Sequence, residues 1–181
     1  LINRSEIFVF CLQEQDVVPF IDKIIDWISI DLPEGANSGK IIFQSRLILS
    51  ELITNAIKHA RVPEVYFEIH ITAEALLIVK KEKGNRFQLI NDQFNTVIVN
   101  HKGKRVKKVE LAKDLRHGLF ALFQNDSSIE FTVETYEENA EKLTGALEHY
   151  GLIIITLSSH EFKYEYDQSS FTNSFSAKIN F

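Results

Sequence analysis

Residues Lys40 to Ala60 read KIIFQSRLILSELITNAIKHA, a stretch with no glycine and no proline. Ile41, Ile42, Leu49, Leu52, Ile53, Ala56, Ile57 and Ala60 recur at helical spacing. The stretch is therefore expected to be a helix whose broad apolar stripe is buried against a large surface. Ser38 is the expected N-cap, and Lys58, His59 and Arg61 put positive charge at the negative end of the helix dipole. Glu51 and Asn55 lie beside the stripe, stacked one turn apart on one face. A carboxylate and an amide are both oxygen donors. Mg²⁺ takes few protein oxygens and fills its octahedron with phosphates and water. Glu51 also has the chemistry of a general base beside such an ion. The plainer account of the pair is the polar edge of an amphipathic helix.

The chain before this helix has the pattern of a strand followed by a helix. Glu6 to Leu12, EIFVFCL, is rich in β-branched and aromatic residues and is expected to be a strand. Its Cys11, the chain's single cysteine, is expected to be a buried small hydrophobe. Asp16 is placed as an N-cap, with Pro19 in the first helical turn. Val17 to Ile30 then shows a helical stripe, and Asp31 to Gly39 has loop composition. After the central helix, Arg61, Val62 and Pro63 break the helical pattern. Glu64 to Ile71, EVYFEIHI, alternates polar and apolar residues, and Leu76 to Lys83 returns as its hairpin partner.

With these elements in place, ELITNAIKHA resembles the N box of the GHKL superfamily, the ATPases related to histidine kinases. It is closest in pattern to the anti-sigma-factor serine/threonine kinases, where E-x-x-x-N-A-x-x-H is usual. The resemblance implies that Asn55 coordinates Mg²⁺ and that Glu51 is the catalytic base. The element order strand, helix, helix, hairpin is also that expected at the start of such a domain. The second strand should then enter the family's G1 box, D-x-G-x-G plus an aromatic. Here Glu82-Lys83-Gly84-Asn85-Arg86-Phe87 has Glu for Asp, keeps Gly84 and Phe87, and replaces the second glycine by Arg86. By resemblance Glu82 would accept the adenine amino group. Arg86 is expected either to turn outward or to fold in and pair with Glu82.

The family's second glycine motif has two candidates, His117-Gly118-Leu119-Phe120 and Tyr150-Gly151-Leu152-Ile153. The second is preferred because FKYEYD (Phe162 to Asp167), a turn and FTNSFSAKINF (Phe171 to Phe181) follow it as a closing hairpin. LIIITL has strand propensity. The resemblance nevertheless implies a short helix from Leu152 to Ser158. In the last strand Ser174 stands near the place of the family's adenine-assisting Ser or Thr. Residues 88–150 occupy the position of the family's lid. They contain a strand-like TVIV (Thr96 to Val99), a basic run with Lys102, Lys104, Arg105, Lys107 and Lys108, a helix-like ELAKDLRHGLFALFQ (Glu110 to Gln124), a strand-like IEFTVETY (Ile129 to Tyr136) and an acidic helix-like stretch from Glu138 to Tyr150. The insert is expected to fold as its own small cover beside the cleft. Its cations would reach phosphate oxygens or form a solvated interaction patch.

Composition narrows the classes. At 181 residues, 45% hydrophobic and 25% charged, the chain suits one domain with a proper core. A net charge of −5 argues against nucleic acid, and no apolar run approaches membrane-spanning length. The scattered histidines and lone cysteine form no metal-ligand motif. No signal-peptide pattern opens the chain, so a cytoplasmic location is expected. The expected fold is α/β (α+β): a single histidine-kinase-like domain over 1–181, built as a two-layer sandwich of the Bergerat type. Its mixed, mostly antiparallel sheet would hold strands near 6–12, 64–71, 76–83, 161–167 and 171–180, with helices on one face. Two functions follow from the resemblance. The first is an ATP- and Mg²⁺-binding regulator that binds a sigma factor or antagonist as a homodimer and phosphorylates a Ser or Thr on the antagonist. The second is a degenerate module that keeps the fold for protein–protein binding and has lost nucleotide.

Overall fold

The structure, a computed structural model, describes residues 4–13, 16–87, 95–99, 105–113, 116–136 and 146–181. In chain order its elements are β1 (Arg4–Cys11), α1 (Val17–Asp31), α2 (Ser38–His59), β2 (Glu64–Ile71), β3 (Ala75–Lys83), β4 (Asn95–Val99), β5 (Arg105–Lys113), β6 (His117–Asn125), β7 (Ser128–Thr135), α3 (Ala146–Ser158), β8 (Glu161–Asp167) and β9 (Thr172–Asn180). The strands form one sheet of nine in the order β1-β2-β3-β9-β8-β7-β6-β5-β4, and every neighbouring pair runs antiparallel.

The helices follow their apolar spacing. On α1, Ile21, Ile24, Ile25 and Ile28 are buried, one side of a 3.6-residue repeat. Asp16 precedes it without a side-chain cap bond. The cap of α2 is Asn37, not Ser38: its Oδ1 accepts the Lys40 N–H at 3.2 Å. Ala60 ends α2, donating its N–H to the Ala56 carbonyl at 2.8 Å. Buried Ser45 returns its hydroxyl to the Ile41 carbonyl at 2.7 Å, so the stripe holds no orphaned polar atom at that position.

Register shows which sheet face these helices cover. Residues directly opposite one another share a face. Phe8↔Phe67, Ile69↔Ile78, Ile78↔Ala177, Ala177↔Phe162, Phe162↔Phe131, Phe131↔Ala121 and Ala121↔Val109 link one continuous apolar face across eight strands. These residues share one core cluster with the buried side chains of all three helices. The other face begins with Ile7, Val9 and Tyr66, all exposed. Cys11 belongs to that same odd-numbered set, so it is exposed and not buried as expected: Phe8 and Phe10 take the inward positions.

The insert corrects two expectations. It does not fold apart as a cover: β7 pairs with β8, and β6, β5 and β4 continue the sheet outward from it. The helix expected over Glu110 to Gln124 is instead the end of β5 and all of β6, with Leu119 and Ala121 inward by alternation. Lys107 and Lys108 consequently lie on β5 and face opposite sides, one over the Phe123 ring and the other over the Phe120 ring. The rest of the basic run and the acidic stretch before Ala146 have no described side chains. The ladder joining insert to main sheet is short, with four residue pairs from Ser128↔Glu165 to Phe131↔Phe162.

Candidate functional site

The expected G1 segment leaves β3 at Glu82 and turns at Gly84. Gly84 has φ 149°, a region open in practice only to glycine, and its N–H donates to the Phe171 carbonyl at 3.0 Å. Position 86 carries no such demand, because Phe171 is the one non-glycine with positive φ among the described residues. Arg86 therefore fits the backbone, and its side chain is exposed.

Glu82 is paired, but with Lys80 and not with Arg86. Lys80 and Glu82 both face the core side of β3, opposite Phe175 and Asn173 of β9. The Lys80 Nζ lies 2.9 Å from Glu82 Oε2 and 4.7 Å from the Phe175 ring centroid. Burial pushes the Lys80 amine below its ordinary pKa, and the adjacent Glu82 carboxylate opposes that shift. Nothing in the strand-like LLIVKKEK marks Lys80 as buried until register is known.

Around this pair the core is closed by hydrogen bonds and rings. The Tyr164 hydroxyl donates to Asn173 Oδ1 at 2.8 Å. The Phe87 N–H donates to Tyr164 Oη at 2.9 Å and to Asn173 Oδ1 at 3.0 Å. Asn173 Nδ2 in turn donates to the Asn85 carbonyl at 3.0 Å. The Phe87 ring packs 5.4 Å from both the Tyr164 and the Phe175 centroids. Burial raises the Tyr164 pKa, so its phenol stays protonated as donor. Ser174, expected in this cluster, pairs with Lys81 on the opposite face. The residue facing Glu82 is Asn173, one position earlier. The slip of one residue was invisible in the sequence because either polar side chain suits a strand.

The second group lies between the helices. Gly151 is inside α3 (Ala146–Ser158), whose described part begins six residues before Leu152, where the expected helix begins. A Cβ at Gly151 would lie 2.5 Å from Glu51 Oε2 and 3.6 Å from Asn55 Nδ2. The glycine thus lets α3 cross α2 directly over the two polar side chains. Residues a hundred positions apart in the chain, Glu51 and Gly151, meet here. Gly118, the other candidate, lies on β6, where the Tyr136 ring covers its Cα face and leaves no room for a side chain.

The fit to the implied groups is uneven. A Mg²⁺ ion would find one carboxylate and one amide oxygen at Glu51 and Asn55. Among the described residues no three His, Cys, Asp or Glu side chains come together to hold a metal. An adenine ring would need Glu82 as acceptor and the space now packed by Phe87, Tyr164 and Phe175. Of the Glu82 carboxylate, Oε2 is engaged by Lys80 Nζ at 2.9 Å. An open groove of about 570 Å³ lies elsewhere, between the end of β1 and the end of α2, lined by Cys11, Ile57, Arg61 and Glu64 among others. Among the described residues no helix is long and apolar enough to cross a membrane. No family model matches the chain, and no curated protein matches it.

Proposed function

We propose that the protein is a regulatory protein-interaction module of histidine-kinase-like (Bergerat) architecture that works without nucleotide. Support for the architecture comes from the strand order β1-β2-β3-β9-β8 with three helices on one face. It comes also from the meeting of Glu51, Asn55 and Gly151. The observation that carries the loss of nucleotide is the buried Lys80–Glu82 pair. The acceptor that adenine would require is engaged by an internal cation. Displacing such a pair leaves a buried charge without its partner, which is strongly unfavourable. The partners proposed are proteins of the sigma-factor or antagonist class, with a homodimer as the assembly and the cytoplasm as the location.

A second reading is favoured by one observation, the retained Glu51 and Asn55 beside Gly151. In it the chain binds Mg-ATP, Asn55 holds the metal, and Glu51 deprotonates a Ser or Thr hydroxyl on a protein antagonist. Thermal melting separates the two. A ligand that binds only the native state raises the midpoint. Under the proposed function, millimolar Mg-ATP leaves the midpoint where it is. A rise of several degrees that Asn55→Ala abolishes would replace this reading with the second.

A further inference from the structure

β1 ends the sheet, and its free edge is long and regular. Among the described residues no strand lies beyond it, and it pairs with β2 without a bulge over eight consecutive residues, from Arg4↔Ile71 to Cys11↔Glu64. Edge strands are ordinarily protected by shortness, proline, lysine or a bulge, because their unpaired N–H and C=O groups invite another strand. RSEIFVFC has no proline and no lysine. The strand at the opposite border, β4, has only five residues. The two charges of β1, Arg4 and Glu6, lie near its start on the helix side, and its outward side chains are apolar, with Ile7 59% and Val9 47% exposed. The ladder fixes which backbone groups are free. Leu12, in register with Pro63 just beyond the last pair, donates its N–H to the Pro63 carbonyl at 3.1 Å. Even-numbered residues therefore bond β2, and the odd-numbered Ser5, Ile7 and Val9 direct N–H and C=O to the open side.

A second β1 fits this edge about a twofold axis at Ile7. Antiparallel pairing then sets Ile7 against Ile7 and Ser5 against Val9 as hydrogen-bonded pairs, and each free N–H and C=O of these residues finds a partner. The helix-side residues alternate with them. Glu6 lies opposite the second copy's Phe8, and Arg4 opposite its Phe10. Lys23 of α1, itself exposed, stands over the Phe8 ring of its own chain, 5.7 Å from the centroid. Among the described residues neither Glu6 nor Lys23 forms an ion pair within its chain. Across the axis the Glu6 carboxylate of each copy faces the Lys23 ammonium of the other, once on each side. Arg4 is already held by Asp31. The most exposed apolar residue of the strand, Ile7, sits on the axis, where its two copies cover each other. Hydrogen bonding, apolar contact and charge in this one stretch are thus complementary to themselves, the condition for an isologous interface.

We propose that two copies of this chain join through β1, antiparallel about Ile7, so that their sheets become one continuous sheet; this rests on the homodimeric assembly proposed above and gives it an interface. The occupant of the edge is a second copy because the stretch answers its own pattern of donors, acceptors, apolar side chains and charge. One strand pair buries little apolar area, so association in the micromolar range is expected.

Sedimentation of the whole protein, from micromolar to hundreds of micromolar concentration, should show a monomer–dimer equilibrium. Ile7→Lys should weaken it about tenfold or more, because like charges then meet on the axis in place of an apolar pair. That variant keeps its own fold, as position 7 is exposed and lies opposite Glu68 of β2. Glu6→Lys should also weaken the dimer, and Lys23→Glu added to it should restore the parent affinity. Register is read from single cysteines at positions 5, 7 and 9 in a Cys11→Ser background, oxidised with copper phenanthroline. Ile7→Cys should give a disulfide-linked dimer, since hydrogen-bonded partners lie about 5.5 Å apart at Cα. Ser5→Cys and Val9→Cys should not, since each lies about 13 Å along the strand from its own copy. A protein that stays monomeric overturns both this interface and the homodimeric assembly. A dimer that Ile7→Lys leaves intact, or that does not cross-link at position 7, overturns the interface and leaves the assembly standing. Mg-ATP melts on the same samples judge the nucleotide-free reading separately.

Discussion

Lys80 and Glu82 stand two residues apart on the inner side of β3, with nitrogen and carboxylate oxygen 2.9 Å apart and only 4% and 15% of their side chains exposed. An ion pair this deep is not a source of net stability. Desolvation of both charges offsets most of their attraction, yet either charge left alone is worse.

Lys80→Met is accordingly expected to destabilise the fold by about 3 kcal/mol, because it strands the Glu82 carboxylate. The double variant Lys80→Met with Glu82→Leu should recover most of that loss, and equal or exceed the parent. Urea unfolding of the three proteins measures this. A double variant as unstable as the single one would mean that the pair holds the cluster together by more than charge compensation.

The same lysine predicts a pH dependence. Its folded pKa lies below the ordinary 10.5 because burial penalises the ammonium. Between the folded value and 10.5 the unfolded chain binds the additional proton, so stability rises with pH across that window. Below the folded value both states are protonated and the contribution is flat. The parent should thus gain on Lys80→Met as the pH rises toward 10.5. A difference in melting midpoint that stays constant over this range would show that Lys80 titrates like a surface lysine.

Gly151→Ala sets helix propensity against a single close contact. Alanine is favoured over glycine inside a helix by about 1 kcal/mol. The new methyl would meet Glu51 Oε2, the far end of a flexible side chain, which can swing away. Stability should therefore hold or rise by up to about 1 kcal/mol, while the carboxylate leaves the helix crossing. Chemical denaturation that shows a loss beyond about 2 kcal/mol would mean that Glu51 is locked against α3.

Much of this architecture was legible in advance. Alternation in EVYFEIHI placed Val65, Phe67, Ile69 and Ile71 inward, and they are fully buried. Of the expected α2 stripe, Ile41, Leu49, Leu52, Ile53 and Ala56 are buried and Ile42, Ile57 and Ala60 pack partly buried against the core, while Ser45 and Ile48, outside that stripe, are buried too. The reading failed where one pattern satisfied two periods. In ELAKDLRHGLFALFQ, apolar residues recur at helical spacing and also alternate across β5 and β6, and strand pairing with β7 decided between them. The site failed by register. Which of Asn173 and Ser174 faces Glu82, and whether Lys80 points in or out, depends on a pairing between β3 and β9 about ninety residues apart. Glu51 and Asn55 lie on one face of α2 because a helix face is a local property, whereas the proximity of Gly151 depends on how α3 crosses α2.

From the short ladder between β7 and β8 the sheet is expected to open as two cooperative units. Only four residue pairs bridge them, although the Phe131 and Phe162 rings stack across the junction at 4.8 Å. Backbone bonding there is sparse, and side-chain packing carries the continuity. Opening at this junction would release β4 to β7 as one foldon while β1, β2, β3, β9 and β8 stay intact. Native-state amide exchange would register it as two tiers of protection, lower on the β7 side, and a single tier across all nine strands would count against it. A chain of this kind can acquire or shed strands at one border without disturbing the cluster at the other.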